Sequence, residues 1–239
     1  MCPKNDEEIE MMTHVPYASV IGSVMHGMIS TRPDVAFALS VSSRYQGNPG
    51  PMHWKAVKDI LKYLRKTKDM FIVYGGGELK LEGYSDSSFQ SDVNDSKSTS
   101  GFIFMLNGGA VSWKSSKQDT VADSTTEAEY IAASDVAKEA VWMRNFIQEL
   151  DVVPCAVDPV PIYCDNTGAV AQAKEPRSHH RSKHILRKFH IIREIVGRGD
   201  IIVERVASTD NERTTVAWLG VAMTYMRVSG CSRRFTAYL

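Results

Sequence analysis

The sequence predicts an α/β fold in which a mixed β-sheet carries helices on its faces and follows a small helical segment. Three observations predict this class. Apolar residues recur at helical spacing between Tyr17 and Leu64, short strand patterns with glycine turns begin at Met70, and helical and strand patterns alternate after Ser124. The order of three antiparallel strands, helices, strand, helices and strand predicts a mixed sheet.

The amino-terminal part of the chain has the pattern of a small helical unit. Its first 15 residues are polar and acidic, and we expect a loose lead-in there. Helical spacing of apolar residues follows over residues 17–30 and 35–41, and a turn cluster at residues 48–51 leads into an amphipathic helix. The basic residues on or near the outer face of that helix are Lys55, Lys58, Lys62, Arg65 and Lys66. A solvated helix face accounts for this charge without a ligand.

Strand patterns dominate from Met70 to about residue 115. Residues 70–74 and 79–89 have the composition of strands and flank a run of three glycines. Residues 99–106 and 110–115 are two further strands, and the turn Asn107-Gly108-Gly109 between them is a strong β-hairpin signal.

The later elements alternate between helix and strand. A helical pattern begins at Ser124 and continues to about residue 150, and residues 159–164 form a short apolar strand. A short helix begins near Asp165. A basic segment then predicts a long helix over about residues 182–196, with Ile185, Phe189 and Ile192 inward, and residues 201–206 form the last strand.

Composition excludes several classes of protein. The formal net charge is zero, so the whole chain gives no electrostatic case for nucleic-acid binding, and only local charge can argue for it. The four cysteines have no paired spacing, which argues against a zinc site and a disulfide framework and suits a reducing compartment. No apolar run is long enough to span a bilayer, and the first residues do not resemble a signal peptide, so we expect a protein that is not secreted.

Two carboxylates at the start of the Ser124 helix have different expected roles. Ser124 and Glu127 form a capping-box pattern, which gives Glu127 a structural role. Glu129 stands at the head of a small apolar stripe of Ala132, Ala133 and Val136, so we expect it to point toward packed structure and to need a partner. A metal ion is one candidate partner. A glutamate that reaches the helix edge and stays solvated is the alternative.

Two further acids lie where this topology can bring them close to Glu129. Asp86 lies in the first strand of the sheet, and Asp165 ends an apolar strand, where ligands collect in α/β sheets. The alternatives are that Asp86 marks a turn and that Asp165 caps the next helix. Clustered carboxylates hold hard cations such as Mg²⁺, and two ions about 4 Å apart can promote phosphodiester cleavage. The basic segment would then bind phosphate, although a solvated face also explains it.

Seven motif runs lie within residues 81–206: Glu82-Gly-Tyr-Ser-Asp86, Lys97-Ser-Thr-Ser-Gly101-Phe, Val111-Ser-Trp-Lys-Ser-Ser-Lys-Gln118, Ser124-Thr-Thr-Glu-Ala-Glu-Tyr130, Ile162-Tyr-Cys-Asp165-Asn166, Arg181-Ser-Lys-His184 and His190-Ile-Ile-Arg-Glu194. In their order and spacing these runs closely resemble the ribonuclease H domain of the Pol polyprotein of copia-type LTR retrotransposons. The runs Pro16-Tyr17, Thr31-Arg-Pro-Asp34 and His53-Trp-Lys-Ala-Val57 are similar to the segment that joins the reverse transcriptase to this domain.

The resemblance implies a ribonuclease H-like, five-stranded mixed sheet and hydrolysis of the RNA strand of RNA–DNA hybrids with two Mg²⁺ ions, for which Mn²⁺ can substitute. Asp86 would bridge both ions, Glu129 would bind one ion and order contacts to the RNA 2′-hydroxyl, and Asp165 would complete a site. The implied partners are the hybrid and the rest of a Pol polyprotein, with no membrane and no disulfide partner. The residues expected at the nucleic acid are Ser87, Asn166, Arg181, Lys183 and His184.

The resemblance also implies three parts: a helical remnant of the reverse transcriptase connection over residues 1–70, a ribonuclease H-like domain over 71–207 and a divergent tail over 208–239. The sequence has no paired aspartates of a polymerase site, so we expect no DNA synthesis. We expect a cytoplasmic retroelement particle or the nucleus as the location.

The chain departs from the family pattern after the last strand. The family has an Ala-Asp pair there, whose aspartate is the fourth metal ligand, whereas this chain reads Ser208-Thr-Asp210-Asn-Glu212. Asp210 is a candidate for the missing ligand, but it does not stand at the matching position. We therefore expect impaired cleavage. The alternative is an inactive retroelement remnant that at most binds nucleic acid.

Overall fold

The computed structural model describes residues 2–75, 79–92, 94–151, 158–175, 187–207 and 225–227. The helices are α1 (Asp6–Thr13), α2 (Tyr17–Thr31), α3 (Ala36–Ser43), α4 (Pro51–Lys66), α5 (Thr125–Leu150), α6 (Thr167–Lys174) and α7 (Ile191–Arg198), with 3₁₀ turns at Pro33–Val35 and Arg187–His190. The strands are β1 (Met70–Ile72), β2 (Glu82–Ser88), β3 (Thr99–Leu106), β4 (Gly109–Lys117), β5 (Val160–Cys164), β6 (Ile201–Arg205) and β7 (Tyr225–Arg227). None of the helices in these ranges is long and apolar enough to cross a membrane.

A five-stranded sheet forms the centre of the fold, with its strands in the order β4-β3-β2-β5-β6. The pairs β4–β3 and β3–β2 are antiparallel, and the pairs β2–β5 and β5–β6 are parallel. The predicted fold class, a ribonuclease H-like mixed sheet with helices, is therefore confirmed. Strands β1 and β7 form a separate antiparallel pair.

The β3–β4 hairpin shows the turn chemistry that the sequence predicts. Asn107 and Gly108 both have positive φ, at 52° and 79°. A two-residue turn with positive φ at both positions matches the twist of the flanking strands, and Asn-Gly tolerates that conformation best.

Helix α5 packs on the sheet through small side chains. Ala128, Ala132, Ala133, Ala137 and Ala140 are all fully buried. Because these side chains are short, the helix lies close to the strands, and Glu129 lies within this buried surface. Phe102 and Phe104 of β3 are buried in the same core.

The amino-terminal helices have a separate core, built around Tyr17, Ile21, Leu39 and Val57. The expected loose lead-in is wrong, because residues 6–13 form α1. The Asn5 side chain accepts a hydrogen bond from the Glu8 amide at 2.9 Å and caps the helix. Acidic residues in the first turn also favour the helix through its dipole.

The amino-terminal helices are bonded to the sheet. Arg44, which follows α3, forms an ion pair with the buried Asp92 at 2.8 Å and donates to Thr99 Oγ1 at 3.0 Å. On β4, the Trp113 indole donates to the Met28 carbonyl at 3.2 Å. The helical unit therefore holds the loop between β2 and β3.

The predicted helix over residues 182–196 differs from the structure where the structure describes it. Residues 187–190 form a 3₁₀ turn, and the α-helix begins only at Ile191. Phe189 and Ile192 are buried, as predicted. Ile185 lies outside the described residues.

Candidate active site

Asp86 lies inside strand β2 and does not mark a turn. It pairs with Gly101 across the β2–β3 ladder, so no side chain stands beside the carboxylate on that strand. The alternative that Asp86 belongs to a turn is therefore wrong. The next residue, Ser87, donates its backbone amide to Asp86 Oδ1 at 2.8 Å.

Glu129 lies near the start of α5 and is only 5% exposed. Its Oε1 atom accepts two hydrogen bonds from Ser87, one from the backbone amide and one from the hydroxyl, both at 2.9 Å. The alternative of a solvated glutamate at the helix edge is therefore wrong. Because the Ser87 amide also reaches Asp86, one donor joins the two carboxylates.

Glu127 serves the start of the helix, as predicted. Its amide donates to Ser124 Oγ at 3.2 Å, and its carboxylate accepts from the Asp123 amide at 2.8 Å. A capping box would place that second bond at Ser124 itself. The structure places it one residue earlier.

Asp165 follows directly after β5, at the carboxyl end of that strand. A carboxylate oxygen of Asp165, one of Glu129 and the Cys164 sulfur all lie within 4.8 Å of one another. Asn166, and not Asp165, caps α6, because its side chain accepts from the Ala169 amide at 3.0 Å. The alternative that Asp165 is the helix cap is therefore wrong.

The electrostatics of the site favour a cation. Burial, with the nearby Asp86 carboxylate, raises the pKa of Glu129 to about 8. Burial, with the Asp165 carboxylate, raises the pKa of Asp86 to about 6, and hydrogen bonds from Ser87 oppose both shifts. Ionised carboxylates in this arrangement repel one another and have lost water, and a bound cation would offset both costs.

Cys164 also belongs to this cluster, although the spacing of the cysteines predicted no role for it. The side chain is fully buried, and its sulfur lies 3.7 Å from Glu129 Oε2. Burial and the Glu129 carboxyl group raise the pKa of the thiol to about 12. The sequence signal that could have identified Cys164 as a site residue is its position directly before Asp165.

Gln118 is a second residue that the sequence did not single out. Its amide nitrogen donates to Ser100 Oγ at 2.7 Å and to the Ala128 carbonyl at 2.9 Å. The side chain is buried and bridges β3 to the turn of α5 that carries Glu129. Its signal was its place at the end of the Val111–Gln118 motif run.

The structure thus brings together Asp86, Ser87, Glu129, Asp165 and Asn166. Asn166 Oδ1 also accepts a hydrogen bond from the Thr126 hydroxyl at 3.4 Å, so this side chain has structural partners. The other candidate site residues, Arg181, Lys183, His184 and Asp210, lie outside the described residues.

No family model matches the chain. The Retrovirus-related Pol polyprotein from transposon TNT 1-94 of Nicotiana tabacum is 43% identical over 211 residues, which are 88% of this chain and 16% of that polyprotein. The Secreted RxLR effector protein 161 of Plasmopara viticola is 48% identical over 133 residues, which are 55% of this chain and 94% of that protein.

Among solved structures, LC11-RNase H1, which was isolated from compost, aligns with 58% of this chain and 92% of its own, at 16% identity and a TM-score of 0.43. This chain spans only 16% of the TNT 1-94 polyprotein. The family resemblance seen in the sequence motifs is confirmed: the chain belongs to the copia-type retrotransposon Pol polyproteins.

Proposed function

We propose that this chain is a retrotransposon ribonuclease H that hydrolyses the RNA strand of RNA–DNA hybrids with two Mg²⁺ ions. The observation that carries the proposal is the convergence of Asp86, Glu129 and Asp165 at one edge of the sheet, where Glu129 is held by two bonds from Ser87. Three acids from different elements meet there, two of them with a pKa raised by burial and by a neighbouring carboxylate.

The donor set fits a hard divalent cation. Carboxylate oxygens are the ligands that Mg²⁺ prefers, and the raised pKa values of Asp86 and Glu129 reflect charge that a cation would compensate. Asp86, Glu129 and Asp165 would hold the ions. Bound there, such ions supply an activated water and stabilise the leaving oxygen.

The protein residues position this chemistry. Ser87 fixes the Oε1 atom of Glu129, which leaves Oε2 beside Cys164 and toward Asp165. Asn166 fixes the start of α6 directly after Asp165. These contacts restrict the carboxylates before any ligand arrives, and such preorganisation limits the reorganisation needed during reaction.

The proposed substrate is read by its shape and its 2′-hydroxyls, so we expect little sequence preference. By family resemblance, Arg181, Lys183 and His184 would contact phosphate. The partner would be the rest of a Pol polyprotein, in a cytoplasmic particle or the nucleus. We also propose the division into residues 1–70, 71–207 and 208–239, which the separate helical and sheet cores support.

A second candidate function has its own observation. The Ala-Asp pair of the family is absent after β6, and Asp210 does not stand at the matching position. A two-cation site that lacks one carboxylate binds one ion less tightly and cleaves more slowly. An inactive domain that still binds nucleic acid is therefore the alternative.

Cleavage of a labelled RNA–DNA hybrid with Mg²⁺ tests the proposal, with the Asp86→Asn variant as the comparison. We expect the natural chain to cleave and the variant to lose cleavage. If neither protein cleaves the hybrid although circular dichroism shows that both are folded, the result would contradict the enzymatic function and favour the inactive domain. If the natural chain cleaves, an Asp210→Asn variant tests whether Asp210 is the fourth metal ligand. An unchanged cleavage rate in that variant would exclude Asp210 from the site.

A further inference from the structure

The outer face of α4 carries a dense group of basic side chains. Five of them are exposed, and we call them the α4 basic stripe: Lys55, Lys58, Lys62, Arg65 and Lys66. The only acid in this helix is Asp59, whereas the formal net charge of the whole chain is zero. The positive charge is therefore concentrated locally.

The five residues of the stripe lie on one side of the helix and form a row along its axis. At 3.6 residues per turn, its five positions fall within an arc of about 100° on one side of the helix. The buried residues His53, Val57 and Ile60 lie on the opposite side. From Lys55 to Lys66 the helix rises about 16 Å, so the stripe is a row of charge and not a point.

Few acids neutralise this row. Within the described residues, Lys62 forms the one ion pair of the stripe, with Asp59 at 2.8 Å, and both side chains are more than half exposed. Exposed pairs of this kind are weak and leave the lysine accessible to another anion. The other four basic groups have no carboxylate within ion-pair distance in those ranges.

A short path of contacts joins the first turn of α4, on the side opposite the stripe, to the loop that follows the strand carrying Asp86. The Tyr45 ring stacks on His53, in the first turn of α4, with centroids 3.9 Å apart. The Tyr45 hydroxyl accepts from Asn94, and the adjacent Arg44 binds Asp92. Both partners belong to the loop that follows β2. The amino-terminal end of α4 is therefore fixed beside the loop that leaves the proposed active site.

We propose that the α4 basic stripe binds the sugar–phosphate backbone of the hybrid outside the cluster of acids. This inference rests on the proposed function, because it concerns the same substrate. Each strand of a duplex carries one negative charge per about 3.4 Å of axis, so a row of five cations about 16 Å long matches about five phosphates of one strand. Such contacts carry no sequence information and strengthen binding through counterion release.

The test measures hybrid binding by fluorescence anisotropy over a series of salt concentrations, in the Asp86→Asn background so that the duplex stays intact. The charge-reversal variant is Lys58→Glu/Arg65→Glu. A matched control, Lys138→Glu/Lys174→Glu, changes the net charge equally at exposed positions in α5 and α6. The variant Lys58→Gln/Arg65→Gln removes charge without adding repulsion.

We expect charge reversal to weaken binding on the order of tenfold at 0.1 M salt and to reduce the slope of log K against log salt by about 2. The control should bind within about twofold of the parent, and the glutamine variant should show a smaller loss in the same direction. A DNA duplex of equal length should lose affinity similarly, because the stripe contacts only the backbone.

The outcomes separate this inference from the proposed function. Equal affinities of the stripe variant and the control for the hybrid would contradict the proposal that the stripe binds it, even if the natural chain cleaves. Weaker binding by the stripe variant, with no cleavage by the natural chain, would support the stripe and contradict the enzyme. A natural chain that binds no duplex would overturn both.

Discussion

Ser87 donates twice to one oxygen of Glu129, through its backbone amide and through its hydroxyl, at 2.9 Å each. The two donors come from β2 and the acceptor comes from α5, so this contact sets the helix against the strand. The same amide bonds Asp86 Oδ1. Ser87 therefore positions the carboxylates of both Asp86 and Glu129 through hydrogen bonds.

The variant Ser87→Ala should reduce cleavage and raise the Mg²⁺ concentration needed for half-maximal rate. It removes the hydroxyl bond and keeps the amide bond, and a hydrogen bond to a charged group contributes about 1.5–3 kcal/mol. We therefore expect a loss on the order of tenfold, with partial recovery in Ser87→Thr. The measurement is the initial cleavage rate over a Mg²⁺ titration.

The neighbouring residue supplies the control for Ser87. Ser88 follows it in β2, but the hydrogen bonds to Asp86 and Glu129 come from Ser87, so Ser88→Ala should leave the Mg²⁺ titration unchanged. A contact between Ser87 and nucleic acid would instead raise the KM for the hybrid and leave the Mg²⁺ dependence as it was. That outcome would contradict the positioning role.

Gln118→Leu should destabilise the fold. The Gln118 amide joins Ser100 of β3 to the Ala128 carbonyl of α5, and loss of both bonds in a buried site costs about 1–3 kcal/mol. The measurement is the urea midpoint. The exposed Gln148 of α5 provides a matched control, and an equal effect of Gln148→Leu would contradict the bridge.

Local chemistry explains which parts of this fold the sequence predicts. The Asn107-Gly108 hairpin depends only on turn residues, and it forms as predicted. The start of α5 follows from the Ser124 cap, and the extent of β5 follows from its run of apolar residues. Helix α1 was missed because a short polar helix depends on its Asn5 cap and acidic first turn, and apolar periodicity does not report those.

The candidate site divides in the same way. Topology alone indicates that Asp86 and Asp165 approach Glu129, because strand ends and a packing helix meet at one edge. The Ser87–Glu129 bonds and the Gln118 bridge depend on how α5 sits over β2 and β3. That register is set by the packing of many alanines, and no local pattern encodes it.

Cys164 should resist alkylation in the folded protein, whereas Cys2 should react. The Cys164 thiol is fully buried with its pKa raised to about 12, so little thiolate exists at pH 8, and Cys2 is exposed. The measurement is iodoacetamide labelling followed by peptide mass spectrometry, with a urea-unfolded sample as the control. Labelling of both cysteines at similar rates in the folded protein would contradict the burial of Cys164.

Stability without divalent cations should fall as the pH rises from about 4 toward about 8. An acid whose pKa is raised by folding binds protons more tightly in the folded state. Its stabilising contribution is therefore complete below the unfolded pKa and is lost as the pH rises through the folded one. That window ends near 6 for Asp86 and near 8 for Glu129.

Replacement of the buried acid isolates this effect and links it to the cation. Glu129→Gln keeps an acceptor for Ser87 but has no charge, so it should flatten the pH dependence and raise the free energy of unfolding at pH 8 by about 1–2 kcal/mol in EDTA. Added Mg²⁺ should stabilise the natural chain at pH 8 more than at pH 5, and should stabilise Glu129→Gln much less. Urea unfolding at both pH values measures each quantity. A natural chain that is equally stable at pH 5 and pH 8 in EDTA, with no response to Mg²⁺, would show that these carboxylates neither repel one another nor bind the cation.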